Sequence, residues 1–272
     1  MNEYNYKKYL KHHGVKGQQW GVRNGPPYPI EDKVLRKGTQ LETISRYGTR
    51  RYPFESPNTK LLLDHFKKNK KWLYTYNPDD EWDKKVYRGP FARYTAYRTG
   101  GYVPEVHRFT VNEDLKMPTK KERVDKFVEL YSKNSKTFVK DLKTVQGLFS
   151  RHPDDELPPR KVELKNWDIP SKLESKEDIE KAYGIFNHAM EAAHAYKSTK
   201  MYCKEMVKQF DAMVDDNNQG IYNRAHDPVI ILKVEKLIKS DEVAKQLTAQ
   251  EILDNTEFVR EELKKYGEKV AL

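Results

Sequence analysis

Two strand-like segments far apart in the chain set the main constraint on its fold. Trp72-Leu73-Tyr74-Thr75-Tyr76 is rich in aromatic and β-branched residues and stops at Asn77-Pro78, a turn pair. Pro228-Val229-Ile230-Ile231-Leu232 is a continuous apolar run, the pattern of a strand buried on both faces. Pairing them closes a loop of roughly 150 residues, which is allowed because closure cost grows only logarithmically with length. Most of the block between them has helical periodicity. The expected class is therefore α+β: a small mixed or antiparallel sheet core with a helical insertion, followed by C-terminal helices.

Local patterns fill in that outline. VLRKGTQLETIS, residues 34–45, reads as two short β segments around Gly38, and residues 103–111 alternate enough for another strand. Residues 58–68 predict a short helix with Leu61, Leu62, His65 and Phe66 on one side. A second helix opens on Asp79-Asp80-Glu81 and is expected to break at Gly89-Pro90. Thr119 and Glu122 have capping-box spacing ahead of the stripe Val124, Phe127, Val128 and Tyr131. Ser175 caps a helix whose Ile179, Ala182, Tyr183, Phe186 and Met190 repeat at three and four. Prolines 153, 158, 159 and 170 bound a loop around Trp167, and residues 210–214 return to strand character. The organisation expected is an extended basic arm over 1–30, a body over 31–239 with its helical insertion at about 120–207, and a helical extension over 240–272.

Composition narrows the class further. Hydrophobic residues make 37% of the 272 and aromatic residues 12%, enough to bury a core. No apolar run approaches the roughly 18 residues of a membrane span, and residues 1–6 contain no apolar leader core. Cys203 is the single cysteine, which excludes an internal disulfide and a multi-cysteine zinc site. The expectation is a soluble chain of a reducing compartment, with no membrane partner. Fifty-one Lys and Arg against 41 Asp and Glu give a net charge of +10, but lysines and acids alternate in most helices. That balance reads first as solubility and second as a polyanion site.

The arm is the most distinctive segment. His12-His13-Gly14-Val15-Lys16-Gly17-Gln18-Gln19-Trp20-Gly21-Val22-Arg23 presents one indole, two imidazoles and three glycine hinges. Trp20 can fill a partner's pocket while Lys16 and Arg23 meet carboxylates at its rim. Alternatively Trp20 packs back on its own body. Adjacent histidines diverge and have no third ligand nearby, so no metal site is expected. This string resembles the H-x-G-V-K-G-x-x-W-G-V-R element of bacteriophage head-morphogenesis and minor structural proteins. The resemblance implies a virion-associated or assembly protein, located in the virion or the host cytoplasm. Its partner-binding residues would be His12, His13, Gly14, Lys16, Gly17, Trp20, Gly21 and Arg23, and its partner a phage structural or assembly protein, or else a host protein.

The body has a second resemblance. VLRKGTQLETIS, WLYTYNPDDEW, DLKMP, FDAMVDDNNQG and DPVIILK are similar in order to the ADP-ribosyltransferase fold of phage and toxin proteins. That fold implies NAD as cofactor, an Arg or His on the first strand to hold it, and a Ser, Thr or Tyr on the second central strand. It also implies a Glu near the last strands, which stabilises an oxocarbenium-like transition state. Arg36 or Lys37 matches the first place and Tyr74-Thr75-Tyr76 the second. At the third stands Asp227-Pro228, with Asp211, Asp215 and Asp216 as other acids in reach of the motif. A carboxylate one methylene shorter is misplaced on a scale that costs about 10²-fold in rate. The preferred reading is thus a non-catalytic chain with no cofactor. The alternative is an ADP-ribosyltransferase-like effector acting on a host target through Arg36, Thr75, Asp216 and Asp227. Nucleic acid is the least favoured partner. Tyr94, Tyr97 and Tyr102 with Arg93 and Arg98 could stack bases, but such residues more often cover a sheet.

Overall fold

The computed structural model describes residues 30–31, 34–46, 59–69, 71–79, 81–93, 104–150, 159–191, 196–214, 228–239 and 245–265. Its strands are β1 (Ile30–Glu31), β2 (Val34–Leu35), β3 (Gln40–Arg46), β4 (Leu73–Thr75), β5 (Pro104–Val111), β6 (Leu115–Lys116), β7 (Ala212–Val214), β8 (Val229–Ile231), β9 (Leu237–Lys239) and β10 (Lys245–Gln246). The helices are α1 (Thr59–Lys68), α2 (Glu81–Val86), α3 (Lys120–Lys133), α4 (Ser135–Phe149), α5 (Pro159–Lys165), α6 (Lys176–Glu191), α7 (Lys197–Met206) and α8 (Ala249–Lys265). The chain is α+β, with small antiparallel sheets and a helical block between β6 and β7.

The two distant strand-like segments pair directly. Tyr74 lies opposite Ile230 and Thr75 opposite Val229, and β7 covers the other edge of β8. All three residues of β8 are buried, as a central strand requires. A single antiparallel bridge, Glu42 with Tyr76, joins this unit to β3. Beyond β3 lies β5, whose far edge takes β9 at one end and β10 at the other. The order across the molecule is therefore β7-β8-β4, the bridge, then β3-β5 and the pair β9/β10. Past the turn at Gly38, where φ is +87°, the β3–β5 ribbon continues into β2 and β6, with β1 outside. That φ belongs to the region where an L side chain is strained, which explains the glycine.

The pleat sends alternate residues to opposite faces. Leu41, Phe109, Leu73, Val229 and Ile231 meet Leu62, Leu63 and Phe66 of α1 in one core. On the other face Ile230 and Met213 join the helical block, and Val106 packs on Leu247 and Ile252. The helical block is held by aromatic rings: Phe127 lies within 4.9–5.8 Å of Tyr131, Phe138, Tyr183 and Phe186. Two of its helices start where the polar spacing predicts. Thr119 and Glu122 form a reciprocal capping box, and Ser175 and Asp178 form its aspartate equivalent. Cys203 is buried here, and burial pushes its thiol well above the ordinary range. No helix among the described residues is long and apolar enough to cross a membrane.

Three expectations need correction. Gly89-Pro90 does not break its helix. The chain widens into a π turn, Tyr87–Phe91, and Ala92 continues helically. A wider turn accommodates a proline that an α-turn would exclude. The loop around Trp167 contains α5, which begins at Pro159, a residue suited to a first helical position. The described part of the segment after residue 239 includes a strand, β10, before its helix, and Thr248 with Glu251 supplies a further capping box.

Gly89 fixes the position of α8. A Cβ at Gly89 would lie 2.7 Å from the backbone carbon of Asn255 and from the backbone nitrogen of Thr256. Backbone cannot swing aside as a side-chain tip can. Gly89→Ala is expected to cost about 1–3 kcal/mol as an overpacking change. Chemical denaturation would read that loss, and amide exchange should show it concentrated in α8. Unchanged stability would mean that α8 slides freely.

Candidate functional site

The bridge between β3 and β4 is where polar side chains converge. Glu42 and Tyr76 exchange both backbone hydrogen bonds at 2.8 Å, which places their side chains on one face. The Tyr76 hydroxyl donates to Glu42 Oε2 at 2.7 Å. Arg88, carried by the π turn, donates from Nη2 to both carboxylate oxygens at 2.6 and 2.8 Å. Arg108, opposite Glu42 in β5, donates from Nη2 and Nε to Oε1 at 2.8 and 3.0 Å. Tyr87 stacks on Tyr76 with centroids 4.4 Å apart and planes at 9°, closing the cluster from above.

The electrostatics of this clasp follow from burial and partners. Glu42 is only 1% exposed, and burial alone would push its carboxyl up. The hydrogen bonds and charge of Arg88, with those of Tyr76 and Arg108, outweigh that and hold it below the ordinary carboxylate range. Burial and the adjacent carboxylate raise the Tyr76 hydroxyl well above its usual value. Desolvation would lower Arg88, but its bonds to Glu42 raise it further. A carboxylate so stabilised, and so enclosed, is a poor proton acceptor. It is a structural anion.

Further along the same strands, the threonines of the opposite face stitch the sheet together. Thr43 donates its hydroxyl to the Tyr74 carbonyl at 2.7 Å, and Thr75 donates to the Val229 carbonyl at 2.8 Å. His107 lies opposite Thr43, and its Nε2 is 3.2 Å from Glu105 Oε2, with both side chains under 5% exposed.

The residues expected from sequence fall as follows. Thr75 is fully buried, and its hydroxyl is committed to Val229. Arg36 sits in the turn before β3, partly exposed, and pairs with Asp114 at 2.8 Å, while the Lys37 amide donates to the other oxygen of Asp114. Asp211 joins sheet ends: it accepts from the Lys116 amide at 2.9 Å and pairs with Lys233 at 2.7 Å and Lys236 at 3.1 Å. Burial would push its carboxyl up, but Lys233, the Lys116 amide and Lys236 hold it down. Asp215, Asp216 and Asp227 lie outside the described residues, as do His12, His13, Gly14, Lys16, Gly17, Trp20, Gly21 and Arg23. Tyr94, Tyr97, Arg98 and Tyr102 lie outside them too. His188 packs edge-on against Phe149. Among the described residues no group of His, Cys, Asp and Glu is arranged to hold a metal ion.

Sequence reading missed Glu42, Arg88, Arg108, Glu105 and His107. The one signal was a charged residue inside each strand pattern, Leu41-Glu42-Thr43 and His107-Arg108-Phe109, at a position that should be covered. Comparison with family models, with curated proteins and with solved structures finds no match in any of the three.

Proposed function

We propose that the chain is a non-catalytic phage virion-associated or assembly protein, whose α+β body is a platform and whose residues 12–23 dock on a partner protein. One observation carries this reading beside the motif itself. Along the β3–β4–β8 seam, Glu42, Thr43, Tyr76 and Thr75 are engaged with one another and with neighbouring strands. Arg36, proposed to hold a cofactor, is paired with Asp114. Groups committed to holding strands together support a scaffold rather than a reaction centre. Mass spectrometry of purified particles from the encoding genome tests the proposal. The chain is expected in particles or assembly intermediates at a fixed ratio to a structural protein. Its absence from both would overturn the reading.

A second reading, an ADP-ribosyltransferase-like effector, is favoured by the strand order. The strand after the Arg36-Lys37 turn, the strand of Thr75 and the strand after Asp227 are consecutive neighbours: β3, β4 and β8. The resemblance puts Arg36 or Lys37 on the first strand itself, whereas here both lie in the turn between β2 and β3. The first reading expects no NAD hydrolysis or ADP-ribose transfer above background. Turnover abolished by Asp227→Ala or Asp216→Ala would instead make the chain an enzyme.

A further inference from the structure

Two neighbouring helices of the helical block each carry a stripe of lysines on the outer face. In α4, Lys136, Lys140 and Lys143 are spaced at four and three residues, opposite the buried stripe Phe138, Leu142 and Val145. In α7, Lys197, Lys200 and Lys204 repeat at three and four, opposite buried Ser198, Tyr202 and Met206. All six lysines are exposed. The two helices are neighbours on one aromatic core, and the Ser198 amide at the start of α7 donates to Asp141 of α4 at 2.8 Å. Both stripes thus lie on the outward sides of adjacent helices.

Little on that surface opposes the charge. The two helices contain two acids: Asp141, bonded to the Ser198 amide, and Glu205, paired with Lys208 at 2.7 Å. Glu205 lies on the flank towards α3, where Glu129 is likewise paired with Lys126 and Lys133. The six lysines have no carboxylate within 4 Å among the described residues, whereas Lys121 and Lys181 do.

We infer that the outer face of α4 and α7 binds the phosphate backbone of a double-stranded nucleic acid without reading its sequence. Lysines three and four residues apart on a helix rise by about 4.5–6 Å, and duplex DNA carries one charge per ~1.7 Å of axis, so several phosphates face the patch at once. The composition separates this occupant from two others. A protein partner calls for aromatic, Met or Arg anchors and few lysines at the centre of an interface. A single strand calls for exposed rings to stack its bases, but Phe138, Phe149 and Tyr202 of these helices are buried. Backbone contact to a duplex needs neither.

The test is fluorescence anisotropy of the full chain with duplexes of 30 base pairs, in DNA and in RNA, across 50–200 mM salt. Four or five neutralised phosphates give a slope of about −4 to −5 in log affinity against log salt, or roughly 10²–10³-fold over that range. Alanine at Lys136, Lys140 and Lys143, or at Lys197, Lys200 and Lys204, should weaken binding roughly 10–100-fold at 50 mM and remove about two to three from the slope, for every sequence tried. Circular dichroism should stay unchanged, since exposed alanine suits a helix. A control triple, Lys121→Ala, Lys133→Ala and Lys181→Ala, makes the same change in net charge and should lose much less. Equal losses in control and stripe variants would overturn the site, as would a flat salt slope. Equal binding of polyglutamate at matched charge would overturn the duplex in favour of an acidic protein.

Discussion

Replacing Glu42 by alanine is expected to lower the unfolding free energy by about 3–5 kcal/mol, because it leaves two partly buried guanidiniums without their shared anion. Arg88 and Arg108 would then face each other and the Tyr76 hydroxyl across an unfilled gap. Domains are stable by only about 5–15 kcal/mol in total, so the loss is a large share. It should appear as a fall in melting temperature of roughly 6–20 °C. The acid limb of stability has a defined sign. The folded-state pKa of Glu42 lies below its ordinary value of 4.5. Its contribution is therefore complete above the unfolded value and disappears as pH falls through the folded one. Glu42→Gln should remove this part of the acid dependence while nearly keeping the shape. A variant as stable as the parent at pH 7, with the same acid limb, would show that the clasp does not hold β3 to β4.

The parts of this fold that were legible in the sequence are those whose partners are local or whose burial is complete. Val229, Ile230 and Ile231 announce a doubly covered strand because no polar residue interrupts them. Thr119 with Glu122, and the ring-bearing stripe through Phe127, announce a helix because both ends of each signal fall within a turn or two. β9 and β10 carry no comparable signal. Leu237-Ile238-Lys239 and Lys245-Gln246 become strands only because β5 offers them an edge. The clasp was hidden for a related reason. Glu42 lies 46 residues from Arg88 and 66 from Arg108, and no periodicity spans such separations. Thr75 shows the opposite limit. Its place on the second strand is evident from the pattern, but a hydroxyl's commitment to the Val229 carbonyl is a property of the fold alone.

Trp20→Ala is the second large effect expected, and it falls on binding rather than folding. An indole that fills an apolar pocket is a hot spot worth on the order of 2–4 kcal/mol, or roughly 30–10³-fold in affinity. Gly14, Gly17 and Gly21 would let the arm's backbone run close to the partner, and Lys16 and Arg23 would meet acids at its rim. Lys16→Ala should cost under about 1 kcal/mol, and less again at high salt, as rim charges do. A docking arm predicts that neither change touches the core clusters formed by the described residues, such as those around Phe127 and Phe109.

The most direct measurement pairs two readouts on the same Trp20→Ala protein: its melting temperature in isolation and its recovery with purified particles or assembly intermediates. A docking arm predicts a melting temperature within a degree or two of the parent, at roughly 2–4 °C per kcal/mol for a chain of this size, together with loss of the chain from particles. A fall of many degrees with recovery intact would mean that Trp20 belongs to the protein's own core, and would contradict the account.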